Sequence, residues 1–188
     1  MKIIQIGANK GYDDLTEFTQ SNKVDFAIFV EPNPFHILKL KECYPEFIVE
    51  NIAIKPISEN KNEVDFYFYD KDLPNFEIAS MSKEHIWDHF GQVELQKIIV
   101  SALTLEELFD KYDIKSLDWL LLDIEGIEAE IVLNFNWDKY NINKIDIERI
   151  HLKDKEDDIN KLFFSKGYTS SELIDSHGYD ISFIKKSI

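Results

Sequence analysis

The sequence predicts an open α/β domain, and three observations carry that prediction. Hydrophobic runs of strand length alternate with helical patterns along most of the 188 residues, the rhythm of parallel strands joined by crossover helices. The first run, Ile3 to Ile6, passes through Gly7 and Gly11 into a helical pattern. The most apolar run, Leu117 to Asp123 (LDWLLLD), reads as a central strand buried on both faces. A chain of this length is expected to form one domain, residues 1–188, and its 44% hydrophobic content is enough to fill a core.

Taken in order, Lys2 to Ile6 is the first strand and Tyr12 to Ser21 the first helix. Asp25 to Val30 is the second strand, Pro34 to Tyr44 the second helix, and Phe47 to Ile54 the third strand. Pro32 and Pro34 flank the start of the second helix, where proline is tolerated, and Pro45 follows its end. Val64 to Tyr69 and Leu95 to Ala102 are further strands, separated by an irregular stretch that holds Pro74, Gly91 and the short helical pattern SKEHIWDHF. So long an irregular stretch in a compact pattern suggests that residues 64–102 form an insertion of the kind that builds lids and substrate walls. Ser80 and Trp87 lie within it, placed to touch a substrate or to pack the segment down.

Regular alternation then returns. Thr104 with Glu107 has the spacing of a capping box and opens the helix TLEELFDKY. After Leu117 to Asp123, Gly126 breaks the run and Ile127 to Leu133 is helical. Ile142 to Glu148 is the next strand and Asp154 to Ser165 the next helix. Tyr168 to Leu173 and Tyr179 to Lys185 close the chain as a hairpin around His177 and Gly178.

Composition narrows the function. The net charge is −15, and Arg149 is the only arginine beside 20 lysines. Phosphate backbones are held by clustered Lys and Arg and bases are read most often by Arg, so a nucleic-acid partner is disfavoured. The sequence has no apolar run long enough for a membrane helix and starts directly in a strand, so a cytoplasmic protein is expected. The one cysteine, Cys43, cannot form an internal disulfide, and with no His beside it in sequence it reads as an unactivated core or surface thiol.

The glycine turn places backbone N–H groups at the carboxyl edge of a sheet, where open α/β proteins bind nucleotide-like ligands. Its spacing, G-A-N-K-G, puts Asn9 where the dinucleotide fingerprint has its middle glycine. Asp13 and Asp14 fall in the first turn of the helix that follows, where carboxylates compete with a pyrophosphate. Both features argue for a ligand without phosphates, and a sulfonium, being cationic, is not repelled. Glu31 ends the second strand twenty residues after Gly11, the distance at which an acidic residue accepts hydrogen bonds from ribose hydroxyls.

Farther on, Asp123 and Glu125 in DIEGIE converge on the crevice if their strand continues that far. Glu128 falls in the first turn of the next helix and is read either as a dipole-compensating or as a functional carboxylate. Glu148 and His151 follow the next strand. With Asp123 and Glu125 they would make an oxygen-rich divalent-metal site, and His151 is also a candidate general base. His36, His85, His89 and His177 lack acidic or cysteine partners at ligand spacing and are expected to be structural or surface residues.

Together, IIQIGANKGYDDL, VEPNP, NIAI, TLEELF and DWLLLDIEGIEAEIVL resemble the FkbM family of S-adenosylmethionine-dependent methyltransferases, within the class I Rossmann-like group. The resemblance covers about residues 1 to 135, with a looser match to the end. It implies a mostly parallel seven-stranded sheet in the order 3-2-1-4-5-7-6, with strand seven antiparallel and helices on both faces. It also implies that Gly7, Ala8, Asn9 and Gly11 line the methionine and ribose portion of S-adenosylmethionine. Glu31 would hold the ribose with Pro32 and Asn33 beside it, Asn51 and Ile52 would lie near the adenine, and Asp123 would end the fourth strand beside the methyl donor. Gln5 departs from the wider methyltransferase pattern, which usually has an acidic residue two positions before the first glycine.

The expected function is methyl transfer, with a hydroxyl of a sugar or glycan-like small molecule as the acceptor the family implies. Asp123, His151 and Glu125 are the candidate catalytic residues, and a divalent metal is an open addition. Two alternatives stand beside this reading: an S-adenosylmethionine-binding module without turnover that serves in assembly or regulation, and an NAD-linked oxidoreductase.

Overall fold

The computed structural model describes residues 1–11, 14–70, 78–150, 152–172 and 180–186. Seven strands form the main sheet: β1 (Lys2–Ile6), β2 (Phe26–Val30), β3 (Ile48–Glu50), β7 (Ser116–Leu122), β8 (Asn141–Glu148), β9 (Tyr168–Glu172) and β10 (Asp180–Lys185). Their order across the sheet is β3-β2-β1-β7-β8-β10-β9. Numbered within this sheet alone, that is 3-2-1-4-5-7-6. The strands from β3 to β8 pair in parallel, and β10 runs antiparallel between β8 and β9. Strand order therefore reverses between β1 and β7, which opens a crevice at their carboxyl ends.

Alternation along the strands sends apolar side chains to both faces. On one face Ile4, Ile6, Leu120, Leu122, Ile145 and Ile147 are covered by α4 (Leu105–Lys111), α5 (Glu128–Asn134) and α6 (Glu156–Ser165). On the other, Ile3, Ala27 and Phe29 meet Leu15 of α1 (Asp14–Ser21) and Leu40 of α2 (Ile37–Cys43). Tyr44, at the end of α2, stacks on Phe29 at 3.6 Å and exchanges a 2.7 Å hydrogen bond with Thr16 of α1. The capping box opens α4, with Thr104 and Glu107 each satisfying the other's backbone N–H.

Two elements differ from expectation by more than a shift of one or two residues at an end, each for a local reason. The run Phe47 to Ile54 is not one strand: β3 ends at Glu50, and β4 (Ala53–Ile54) belongs to a second sheet. Asn51 makes the break by turning its amide onto the carbonyls of Glu31 and Pro32. The second helix begins at Ile37 rather than Pro34, because the Asn33 carboxamide accepts from the Phe35 N–H and holds Pro34 to His36 as a turn.

The second sheet has three strands in the order β4-β6-β5, with β5 spanning Glu63–Phe68 and β6 Gln96–Leu103. The expected strand pair is thus antiparallel, and β4 adds itself in parallel to β6. Between them α3 (Lys83–Phe90) starts at Ser82, whose hydroxyl accepts from the His85 N–H. Pro74, Tyr12, Asp13, His151, His177 and Gly178 lie outside the described residues. No helix among the described residues is long and apolar enough to cross a membrane.

Candidate functional site

The glycine turn leaves β1 toward β2. The N–H groups of Gly7 and Ala8 both donate to the carbonyl of Val30, at 2.9 and 3.0 Å. A β-carbon at Gly7, whose φ is +83°, would lie 1.6 Å from the carbonyl oxygen of Asp123, so this glycine lets the end of β1 press against the end of β7. Gly11 packs on Cys43 and Tyr44, and the half-buried Cys43 thiol points to the Lys10 carbonyl. Asn9 takes a left-handed φ of 48° and donates its N–H to Glu31 at 2.7 Å. Its side-chain oxygen is buried with no hydrogen-bond partner among the described residues.

Glu31 is the hinge of this arrangement. It is 6% exposed, and its second oxygen accepts the N–H of Asn33 at 2.7 Å. His36, also buried, brings a ring nitrogen to 3.8 Å from the Glu31 carboxylate. Burial pushes the Glu31 carboxyl up to about 7; repulsion from Glu125 adds to this, and the two backbone N–H groups oppose it. Asn33 is buried and turned toward its own turn and His36, while Pro32 and Ile52 line the crevice. Asn51 fixes the backbone of residues 31 and 32.

Across the crevice β7 ends at Leu122, so the chain no longer alternates at Asp123 and Glu125. Glu125 has a left-handed φ of 60°. Both residues still line the crevice, but Glu125 pairs with His85 at 2.7 Å. Glu128 is 1% exposed and closes the loop from the other side, its carboxylate accepting from the N–H groups of Ile124 at 2.6 Å and Gly126 at 3.0 Å. It thus acts on the loop backbone as well as standing at the start of α5.

The expected metal set of Asp123, Glu125, Glu148 and His151 is not the one the structure gathers. Oxygen atoms of Asp123, Glu128 and Glu148 lie within 4.8 Å of one another, a donor set suited to a hard divalent cation. Glu125 is drawn away to His85, and His151 is outside the described residues. The Asp123 carboxyl is held well above the usual range, first by burial, then by the charges of Glu148 and Glu125, a hydrogen bond with Glu148, and the charge of Glu128. Asp123 keeps surface open to water in the crevice, so the crowding of carboxylates is the firmer of these causes.

The smaller sheet and the residues that follow its strand β5 supply the remaining wall, with Phe66, Ala79 and Met81 on the crevice. Ser80 donates its hydroxyl to the Glu125 carbonyl at 2.7 Å. Trp87 is half-buried and donates its indole N–H to the Val93 carbonyl at 3.0 Å. Sequence reasoning missed the acidic partners of His85 and His36: Glu125 lies 40 residues from His85, and Glu31 reaches His36 only through the turn that precedes the second helix. The crevice's charged lining residues are Glu31, Asp123 and Glu125 with His36 beside them; no lysine or arginine lines it among the described residues.

Comparison with known proteins places these features. The Methyltransferase FkbM domain family matches residues 5–170. No curated protein matches the chain significantly. Among solved structures, a methyltransferase FkbM from Methylobacillus flagellatus KT is 14% identical with a TM-score of 0.56, and 97% of this chain is covered. The chain spans 43% of that protein's length. M. capricolum TrmK in complex with S-adenosyl-homocysteine is 13% identical with a TM-score of 0.47, over 100% of this chain and 63% of that one. At these identities the likeness to the M. flagellatus structure is one of fold.

Proposed function

The chain belongs to the FkbM methyltransferase family, and from that premise we propose that it transfers a methyl group from S-adenosylmethionine to a hydroxyl of a sugar or glycan-like acceptor. The observation that carries this reading is the crevice itself: a buried Glu31 at one end, Asp123 at the other, the Gly7 and Asn9 turn between, and no cationic lysine or arginine among its described lining residues. A pyrophosphate would face carboxylates there. A sulfonium and an α-amino group are attracted to them.

The residues present fit such a donor. An ionised carboxylate has about four lone-pair sites, so Glu31 can accept ribose hydroxyls beyond the two backbone N–H groups it already serves. The buried Asn9 oxygen is a further acceptor without a described partner. Ile52 offers apolar surface beside Pro32, where an adenine would rest. When bound, S-adenosylmethionine supplies an activated methyl group, and the chain's part is to hold and orient the reactants. Asp123, whose carboxyl burial and the neighbouring carboxylates hold above its ordinary range, lines the crevice as the group to take the acceptor's proton once it is ionised. On sequence grounds His151 is the second candidate for that role.

The test uses the full chain in two steps. Calorimetry is expected to give micromolar affinity for S-adenosylmethionine and none for NAD; the reverse would sink the reading. Tritium-labelled S-adenosylmethionine should then label hydroxyl acceptors in a panel of sugars and amines. Asp123→Asn should lower that transfer by about 10²- to 10⁴-fold, a loss much larger than its effect on S-adenosylhomocysteine binding. Donor binding with no labelling of any acceptor would instead favour a non-catalytic binding module.

A further inference from the structure

The Asp123–Gly126 loop is pressed from three sides. The glycine turn abuts the Asp123 carbonyl. Glu128 gathers the Ile124 and Gly126 N–H groups. The third support comes from the inserted segment, where Ser80 donates to the Glu125 carbonyl and His85 meets the Glu125 carboxylate. The His85 ring lies so close to Gly126 that a β-carbon there would come within 2.9 Å of Nδ1.

We propose that His85 is a positioning residue of the donor site: by holding Glu125 it sets the loop that brings two carboxylates to the crevice, and so ties the inserted segment to ligand binding. This rests on the S-adenosylmethionine reading above. Glu125 carries a β-carbon in a left-handed conformation, which it does not adopt without outside support. His85 faces it with Nε2, and a carboxylate partner calls for a proton on that nitrogen. The side chain of His85 is 7% exposed and that of Glu125 21% exposed, so the histidine sits behind the carboxylate and the carboxylate faces the crevice. His89 braces the arrangement from the next turn of α3, with its ring 4.7 Å from that of His85 and its Nδ1 3.0 Å from the His85 carbonyl. The same inserted segment lines the crevice with Phe66, Ala79 and Met81. Releasing Glu125 therefore loosens both the carboxylate and the wall behind it.

Calorimetry with S-adenosylhomocysteine tests this without an acceptor. His85→Phe, which keeps a ring but no hydrogen bond, is expected to weaken binding about tenfold while the melting temperature stays within a few degrees. His85→Gln, whose amide can still donate to Glu125, should recover most of that affinity. Combining His85→Phe with Glu125→Ala should bind no more weakly than the worse single variant, because the two residues act as one pair. Unchanged affinity in His85→Phe overturns the proposal. So do additive losses in the double variant, or equal losses of stability and affinity in the Phe and Gln variants, since these mark a merely structural histidine. If the wild-type chain does not bind S-adenosylhomocysteine, the donor reading falls and this proposal with it, a failure distinguished by its appearance in the wild type.

Discussion

A carboxyl group that titrates near pH 7 ties the ligand-free protein and its complex to pH in opposite directions, and Glu31 is such a group. Its folded-state pKa is raised from 4.5 to about 7, mainly by burial, so the folded chain holds this proton more tightly than the unfolded chain does. The stability it contributes is fully present below pH 4.5 and is lost as pH rises through about 7, a change of about 3 kcal/mol. Subtracting the pH–stability profile of Glu31→Gln from that of the wild type should isolate this slope, and parallel profiles would refute it. Binding runs the other way. Ribose hydroxyls donate best to the ionised carboxylate, so S-adenosylhomocysteine should release a fraction of a proton at pH 7 and bind more tightly at pH 8 than at pH 6. Calorimetry in two buffers of different ionisation enthalpy reads that proton directly, and the Gln variant should abolish it.

At the scale of elements, the junction of β1 and β7 is the tightest point in the site. Gly7→Ala would force a β-carbon into the Asp123 carbonyl, a backbone atom that cannot rotate away. The substitution should cost at least about 3 kcal/mol in chemical denaturation. Gly167 also has a left-handed φ, of +84°, but open space around it. Gly167→Ala should cost only about 1 kcal/mol, and equal losses at the two positions would refute the steric account. The glycine turn, Glu31 and DIEGIE were legible in the sequence because each is a local signal: a turn, a strand end, a carboxylate closing an apolar run. What stayed hidden depends on nonlocal or conformational facts. The apolar pattern from Phe47 to Ile54 does not show that the chain changes sheets at Asn51. Period-two reasoning at Asp123 and Glu125 fails because the strand stops at Leu122 and Glu125 turns left-handed. The pairing of His85 with Glu125 spans 40 residues and two elements.

At the scale of the whole molecule, the two sheets differ in how much apolar surface holds them. The main sheet is sandwiched between helices and carries large buried side chains such as Phe29, Phe109, Phe163 and Phe183. The core of the smaller sheet consists of Ala53, Val64, Phe66, Ala79, Val100 and Ala102, half of it alanine. Burial stabilises in proportion to apolar area, so the smaller sheet should open at a lower free energy than the main one while the rest stays folded. On this reading the smaller sheet is the least stable part of the described structure. Because Phe66, Ala79 and Met81 line the crevice, a ligand seated there would couple to that opening. Hydrogen exchange should show amides of β5 and β6 exchanging through a sub-global opening, ahead of β1 and β7. S-adenosylhomocysteine should slow exchange in β5 and residues 79–81 more than in β9 and β10, which lie on the far side of the main sheet. Equal protection of both sheets without ligand would mean that the small core is held by more than its own apolar contacts, and protection by ligand confined to β1 and β2 would remove the insertion from the binding site.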